Sequence, residues 1–264
     1  MAQYWLRLML PKRGRLRPAH DFASICEHRM SVTDIKTLFD AGAHSGLPRA
    51  RRHPTAVNFI FTAKDRADVF DLEETSRRLT AATERIASVV ASGKQVVFVS
   101  GKHEAIDIVK WAALKANMPY VAGRWIGGTL TNFKIIRKRI DRLEKLIADR
   151  EAGILDKYTK HERLLLDREI DKLLARFGGL VSMTSLPGAL FIVDTRHEET
   201  AVKEANQLGI PVIGLANSDC NFSLIQFPIP ANDTSVRSVR LVTDAIAEAC
   251  TEGKKAVKVA PTNA

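Results

Sequence analysis

Short runs of Val, Ile, Leu and Phe alternate with amphipathic stretches from residue 95 to the C-terminal region. "QVVFVS" leads into "HEAIDIVKWAALKANM" and then "PYVAG"; later "GALFIVD", "HEETAVKEANQLG", "IPVIGLA", "IQFPIP" and "TSVRSVRLVTDAIAEACTEG" follow in order. A strand with no polar alternation is covered on both faces, which requires a parallel sheet sandwiched by helices. Five such runs predict a doubly wound α/β domain of the flavodoxin or Rossmann type.

The upstream part starts with "SVTDIKTLFDAG", where Ile35, Leu38 and Phe39 have helical spacing and Gly42 is a C-terminal stop. "HSGLPRARRHP" reads as a basic loop and "AVNFIF" and "ADVFDL" as short strands. "DLEETSRRLTAATERIASVVASG" reads as a helix, with Asp71 and Glu74 spaced for a capping box.

Residues 129–178 interrupt the alternation. Phe133, Ile136, Ile140, Leu143 and Ile147 form a heptad seam, repeated by Leu166, Ile170, Leu173 and Phe177 after "EAGILDKYT". This pattern predicts an antiparallel coiled-coil hairpin inserted in the α/β domain. It carries thirteen Lys/Arg against nine Asp/Glu, a surplus suited either to a solvated face or to an anionic partner.

The whole chain has a net charge of +10, which favours a polyanion, because each Lys or Arg set against a phosphate releases condensed counterions. Cys26, Cys220 and Cys250 are far apart and form no CxxC pair, so neither a disulfide framework nor a thiolate zinc site is implied. No apolar run approaches the roughly 20 residues of a membrane span. Residues 1–30 form a basic appendage, open to reading as a transit peptide, an RNA-binding arm or an upstream start before Met30. The main domain is expected over 31–252, and 253–264 as a mobile basic tail.

The motifs for small-molecule chemistry are incomplete. "VFVSGKHEA" resembles the end of a P-loop, but Val96 and His103 stand where a glycine and a hydroxyl residue belong. In "AGRWIGGTLTNF" the spacing of Gly123 and Gly128 fits, yet Thr129 occupies the place of the phosphate-binding lysine. Gly127 and Gly128 read instead as a corner where the chain leaves the sheet, with Thr129 capping the next helix. "DTRHEET" sits at a strand end, where Thr195 and Glu198 also have capping-box spacing. His197-Glu198 lacks a second histidine, His20, Cys26 and His28 are a weak chelating set, and no GxSxG surrounds Ser100 or Ser185. No cofactor, metal or catalytic constellation is implied; the alternative function is a nucleotide- or sugar-phosphate-binding α/β enzyme using Asp194, Ser100 and Lys102.

"GRWIGGTLTNFKIIRKRIDRLEKL", "TDIKTLFDAGAHSG", "LPGALFIVDTRHEETAVKEANQLGIPVIGLANSDC" and "IQFPIPANDTSVRSVRLVTDAIAEA" together closely resemble one family, in one order over about residues 31–252. It is the family of the second protein of the small ribosomal subunit, bacterial and organellar type. The resemblance implies a non-catalytic, RNA-binding structural component on the solvent side of the subunit. Its partners are small-subunit rRNA, other ribosomal proteins and, where present, the mRNA-binding protein S-one; no membrane or small-molecule substrate belongs to it. It implies a bacterial cytoplasmic ribosome, or an organellar one if residues 1–29 are a transit peptide; redeployment off the ribosome stays open.

By the same resemblance Arg124, Lys134, Arg137 and Lys138 face rRNA. Trp125 either stacks on a base or plugs the root of the hairpin, and packing is favoured because an apolar strand precedes it and Ile126 follows. The family's "His-x-Gly-His" is departed from at Leu47, and Arg49, Arg51 and Arg52 crowd that loop, which keeps it fit for phosphate. Cys220 replaces the usual proline after "NSD".

Overall fold

The computed structural model describes residues 34–259. The basic leader, the His20–Cys26–His28 set and the last five residues of the tail lie outside the described residues.

A short helix α1 (Ile35–Asp40) starts on Asp34, whose side chain accepts the Lys36 N–H, and stops before Gly42, at φ +74°. Strands β1 (Ser45–Pro48), β2 (Ile60–Lys64) and β3 (Ala67–Phe70) then form a three-stranded antiparallel sheet in the order β1-β3-β2. The strand expected in "AVNFIF" begins only at Ile60, because Pro54–Phe59 is a 3-10 turn. Pro54 starts that turn and His53 Nδ1 accepts the Thr55 N–H, so local capping overrides β-propensity there. Helix α2 (Leu72–Ala91) follows. Asp71 caps it through the Glu73 N–H, but Glu74 turns outward to Arg77 and Arg78 rather than closing a capping box.

The expected five-stranded sheet is present and wholly parallel. Its strands are β4 (Val96–Ser100), β5 (Tyr120–Ala122), β6 (Ala189–Val193), β7 (Val212–Ala216) and β8 (Phe227–Pro230), in the order β5-β4-β6-β7-β8. Every residue of β4, β6 and β7 is buried, as their unbroken apolar runs demand. The helices are α3 (His103–Ala116), α4 (Phe133–Glu151), α5 (Lys160–Phe177), α6 (Glu199–Gln207) and α7 (Val236–Val259). Chain direction across the sheet reverses between β4 and β6, which puts α3 and α6 on opposite faces when both crossovers are right-handed. Helix α7 packs on α2 and α3.

Edge strand β5 is closed off by the turn Gly178–Leu180. A side chain at Gly179 would collide with the Tyr120 carbonyl, so glycine is needed for that close approach. Helices α4 and α5 pack together as a two-helix hairpin with Ile136, Ile140, Leu143, Leu146 and Ile147 buried on one and Ile170, Leu173 and Phe177 on the other. Phe133 and Leu166, the first residue of each heptad run, are only half-buried. Thr159 and Glu162 make a complete capping box at the start of α5.

Helix α7 continues well past residue 253, where a mobile tail was expected. Lys254 Nζ donates to the Ala116 and Asn117 carbonyls at 2.9 Å each, satisfying acceptors at the end of α3.

Burial pushes the thiols of Cys220 and Cys250 up from 9.0 to about 12. The unfolded chain therefore loses these protons first as pH rises above 9.0, so stability falls across that window toward about 12. Lys102, raised above its ordinary 10.5, acts with the same sign at higher pH. Unfolding free energies from urea melts should fall above pH 9 by up to about 1.4 kcal/mol per pH unit for each thiol, and Cys250→Ala should remove one share of the slope; a flat alkaline profile contradicts this.

Candidate nucleic-acid interface

The segment from Ala122 to Phe133 is the root of the hairpin. Gly123 (φ +133°) donates to the Ser100 carbonyl at 2.8 Å and turns the chain away from the sheet. Gly128 (φ +88°) then aims a run of backbone N–H groups inward. Such a concave array of amides binds anions. Here the anion belongs to the protein: Glu204, on α6, accepts from Gly128 N (2.7 Å), Leu130 N (3.0 Å), Thr131 N (3.2 Å), Thr131 Oγ1 (3.3 Å) and Trp125 Nε1 (3.2 Å). Burial alone would raise this carboxyl, but the backbone donors of Leu130, Gly128 and Thr131, with the Trp125 indole, outweigh it and hold Glu204 below its ordinary 4.5. The glycine turn is thus a filled cradle with no vacancy for a phosphate.

Trp125, 6% exposed, is packed into this root and its ring face is not offered to a base. Thr129 Oγ1 donates to the Ile126 carbonyl at 2.6 Å, so it closes the turn rather than capping α4, whose N-cap residue is Asn132. Arg137 is also committed. Its Nε reaches Asp141 (2.8 Å), Nη2 reaches Glu144 (3.1 Å), and Nη1 donates to the carbonyls of Val181 (3.1 Å) and Met183 (3.3 Å). It ties the first hairpin helix to the chain leaving the second. Arg124, Lys134 and Lys138 are exposed, the two lysines one helical turn apart on α4.

The arginine loop lies on the turn after β7: His53 N donates to the Ser218 carbonyl (2.8 Å), Leu47 N to Ser218 Oγ (3.2 Å) and Phe222 N to Thr55 Oγ1 (3.0 Å). Arg49 and Arg51 are exposed. Arg52 instead makes a two-pronged ion pair with Asp68, which is completely buried, and Asp68 together with its hydrogen bond holds the guanidinium above its usual range. The site residues therefore form two groups beyond the strand ends, one past β5 and one at β7. Three inter-strand spacings, roughly 14 Å, separate those strands.

Between the groups is the crevice beside β4 and β6, where α/β enzymes of this topology seat ligands. It is filled by protein side chains. Lys102 Nζ pairs with Asp233 (2.9 Å) and Asp194 (3.5 Å), and Asn217 Nδ2 donates to Asp233 (2.6 Å). Burial, and then the Asp233 carboxylate, push Asp194 above the usual carboxylate range; burial disfavours the Lys102 ammonium, but Asp233 and Asp194 outweigh it. Any Cβ at Gly101 would collide with the Glu198 carboxylate. The strand-end turn is capped by Asp194, which accepts from Arg196 N and His197 N, while Glu198 pairs with His197 at 2.9 Å, so the expected Thr195–Glu198 capping box does not form. Among the described residues no group of three or more His, Cys, Asp or Glu could hold a metal ion.

The sequence reading missed Glu204. Its signal was a carboxylate on the same helical face as Ala201, Val202 and Ala205, all buried. Glu204→Ala orphans buried donors at Trp125 and Leu130, and should cost about 3 kcal/mol in a urea melt; an unchanged midpoint contradicts the role given to this carboxylate.

Comparison with known proteins gives concordant results. The family model described as ribosomal protein S2 matches residues 38–253. The small ribosomal subunit protein uS2 of Syntrophobacter fumaroxidans is 42% identical over 226 residues, covering 86% of this chain and 82% of that protein. The protein of the same name from Roseiflexus sp. strain RS-1 is 44% identical over 223 residues, covering 84% and 85%. That of Coprothermobacter proteolyticus is 39% identical over 226 residues, covering 86% and 84%. With a family match spanning the hairpin root and both flanking parts of the sheet, and relatives covered over most of their length, the chain belongs to the ribosomal protein S2 family.

Proposed function

We propose that this chain is a structural, non-enzymatic constituent of the small ribosomal subunit of a bacterial cytoplasmic ribosome, bound to small-subunit rRNA and neighbouring ribosomal proteins. The observation that carries the reading is the near full-length similarity to proteins named small ribosomal subunit protein uS2. The filled crevice at Lys102 and the cradle occupied by Glu204 support it, since the two places where an α/β enzyme would hold a phosphorylated ligand are both taken by the protein itself. The mRNA-binding protein S-one is proposed as a further partner. A tagged copy expressed in a bacterium should migrate with small subunits in a sucrose gradient; recovery only from fractions lighter than the subunits overturns the reading.

Within that reading, Arg49, Arg51, Arg124, Lys134 and Lys138 are the phosphate contacts, because their cations are exposed. Arg52, Trp125 and Arg137 act by position: Arg52 neutralises Asp68, and Trp125 and Arg137 hold the root of the hairpin. Lys134→Ala with Lys138→Ala should lower the log–log salt slope of rRNA binding by about 1.4 to 1.8, at 0.7 to 0.9 per phosphate contact, with the urea midpoint unchanged. Arg52→Ala should behave in the opposite way, costing about 3 kcal/mol of stability by leaving a buried carboxylate unpaired. An unaltered slope in the double lysine variant removes α4 from the interface.

A further inference from the structure

The three-stranded sheet β1-β3-β2 has one face turned to the protein and one to solvent. Asp68 and Phe70 on β3 are buried on the inner face, and Arg52 reaches Asp68 there. The other face is set by the pairs Thr62↔Val69, Lys64↔Ala67, Ser45↔Val69 and Pro48↔Ala67. On β2 the pairing steps from Ile60↔Phe70 to Thr62↔Val69, which leaves Phe61 as an extra residue with no partner. A bulge of this kind re-aims one side chain and bends the strand. Phe61 is 77% exposed, the most exposed of the large hydrophobic residues described.

An apolar ring held out at a bulge costs the protein burial it gains nowhere else in the fold. Cations lie along the same sheet toward the hairpin tip, three and five residues on from it and in the loop after β1. Arg49, Arg51, Lys64 and Arg66 are all exposed, and Asp65 is the single exposed acid in the β2–β3 hairpin. The hairpin turn has two successive left-handed residues, Asp65 (φ 51°) and Arg66 (φ 65°), the form that matches strand twist. The Arg66 carbonyl accepts the Arg49 N–H at 2.9 Å, which fixes the arginine loop to the hairpin tip.

We propose that this outer face is a platform for an unpaired segment of RNA, with one base stacked on Phe61 and the phosphates of the strand running from it toward the hairpin tip on Lys64, Arg66, Arg49 and Arg51. An aromatic ring on a sheet surface with a cationic rim is the arrangement that binds single strands, because every base has a π-face and every phosphate a charge. The open edge of β2 would be the place for an added peptide strand, but the bulge breaks its regular row of hydrogen-bonding groups and Lys64 flanks it, which disfavours that occupant. The proposal rests on the ribosomal reading only for where such an RNA would be met.

The test is equilibrium binding of short oligoadenylate to the full chain, beside an abasic ribose-phosphate strand of equal length and a polyglutamate peptide. The parent should prefer oligoadenylate to the abasic strand. Phe61→Ala should lose roughly ten- to a hundredfold in affinity, at one stacked base, with its salt slope and urea midpoint unchanged. Phe61→Trp should retain binding, with its added fluorescence quenched by the base. Equal affinity for the abasic strand, undiminished binding by Phe61→Ala, or Phe61-dependent binding of polyglutamate without preference for RNA each overturns the platform. Failure of the parent to sediment with small subunits while Phe61-dependent binding persists overturns the ribosomal placement alone.

Discussion

One buried carboxylate organises the connection on which the rest of the molecule depends. The chain must leave the parallel sheet after β5, build a long helical hairpin and return to start β6 on the far side of β4. The exit is a glycine corner whose amides point inward, and such amides are costly if left without acceptors. Glu204 supplies five hydrogen bonds to that corner from a different crossover helix. It therefore fixes the root of the hairpin to the sheet through α6, and it does so with an anion where related glycine turns hold a phosphate.

The other ionic contacts divide into those that assemble the fold and those left facing water. Arg52 is spent on Asp68, Lys102 on Asp194 and Asp233, and Arg137 on two carboxylates and two carbonyls. Each partly buries a cation that a count of charges would assign to a polyanion. Arg49, Arg51, Arg124, Lys134 and Lys138 remain exposed, in two groups past the strand ends. A surface of this kind gives affinity for phosphates by number and placement rather than by a closed pocket, which suits an extended partner better than a small one.

The sheet was legible in the sequence because each strand is buried on both faces, and that leaves unbroken apolar runs such as "VVFVS" and "ALFIV". The hairpin helices were legible from the spacing of Ile136, Ile140, Leu143, Ile170 and Leu173. The capping at Asp71 was half legible: its oxygen does cap the helix, but Glu74 had two arginines within reach and took them. "AVNFIF" was misread because Pro54 and His53 impose a helical turn before strand propensity can act. Glu204 and Arg137 were opaque for a different reason. Most of what they hold is backbone, the N–H groups of Gly128, Leu130 and Thr131 for Glu204 and the carbonyls of Val181 and Met183 for Arg137, and no residue-type pattern marks a backbone group as needing a partner.

The most direct measurement is an NMR pH titration that follows the Glu204 carboxyl carbon together with the amide protons of Gly128, Leu130 and Thr131 in the free protein. With the carboxylate in the cradle, Glu204 titrates below the ordinary glutamate value of 4.5 and the three amides shift with it as it is protonated. A Glu204 that titrates at or above 4.5, with those amides indifferent to it, would contradict the claim that the protein's own anion fills the glycine turn.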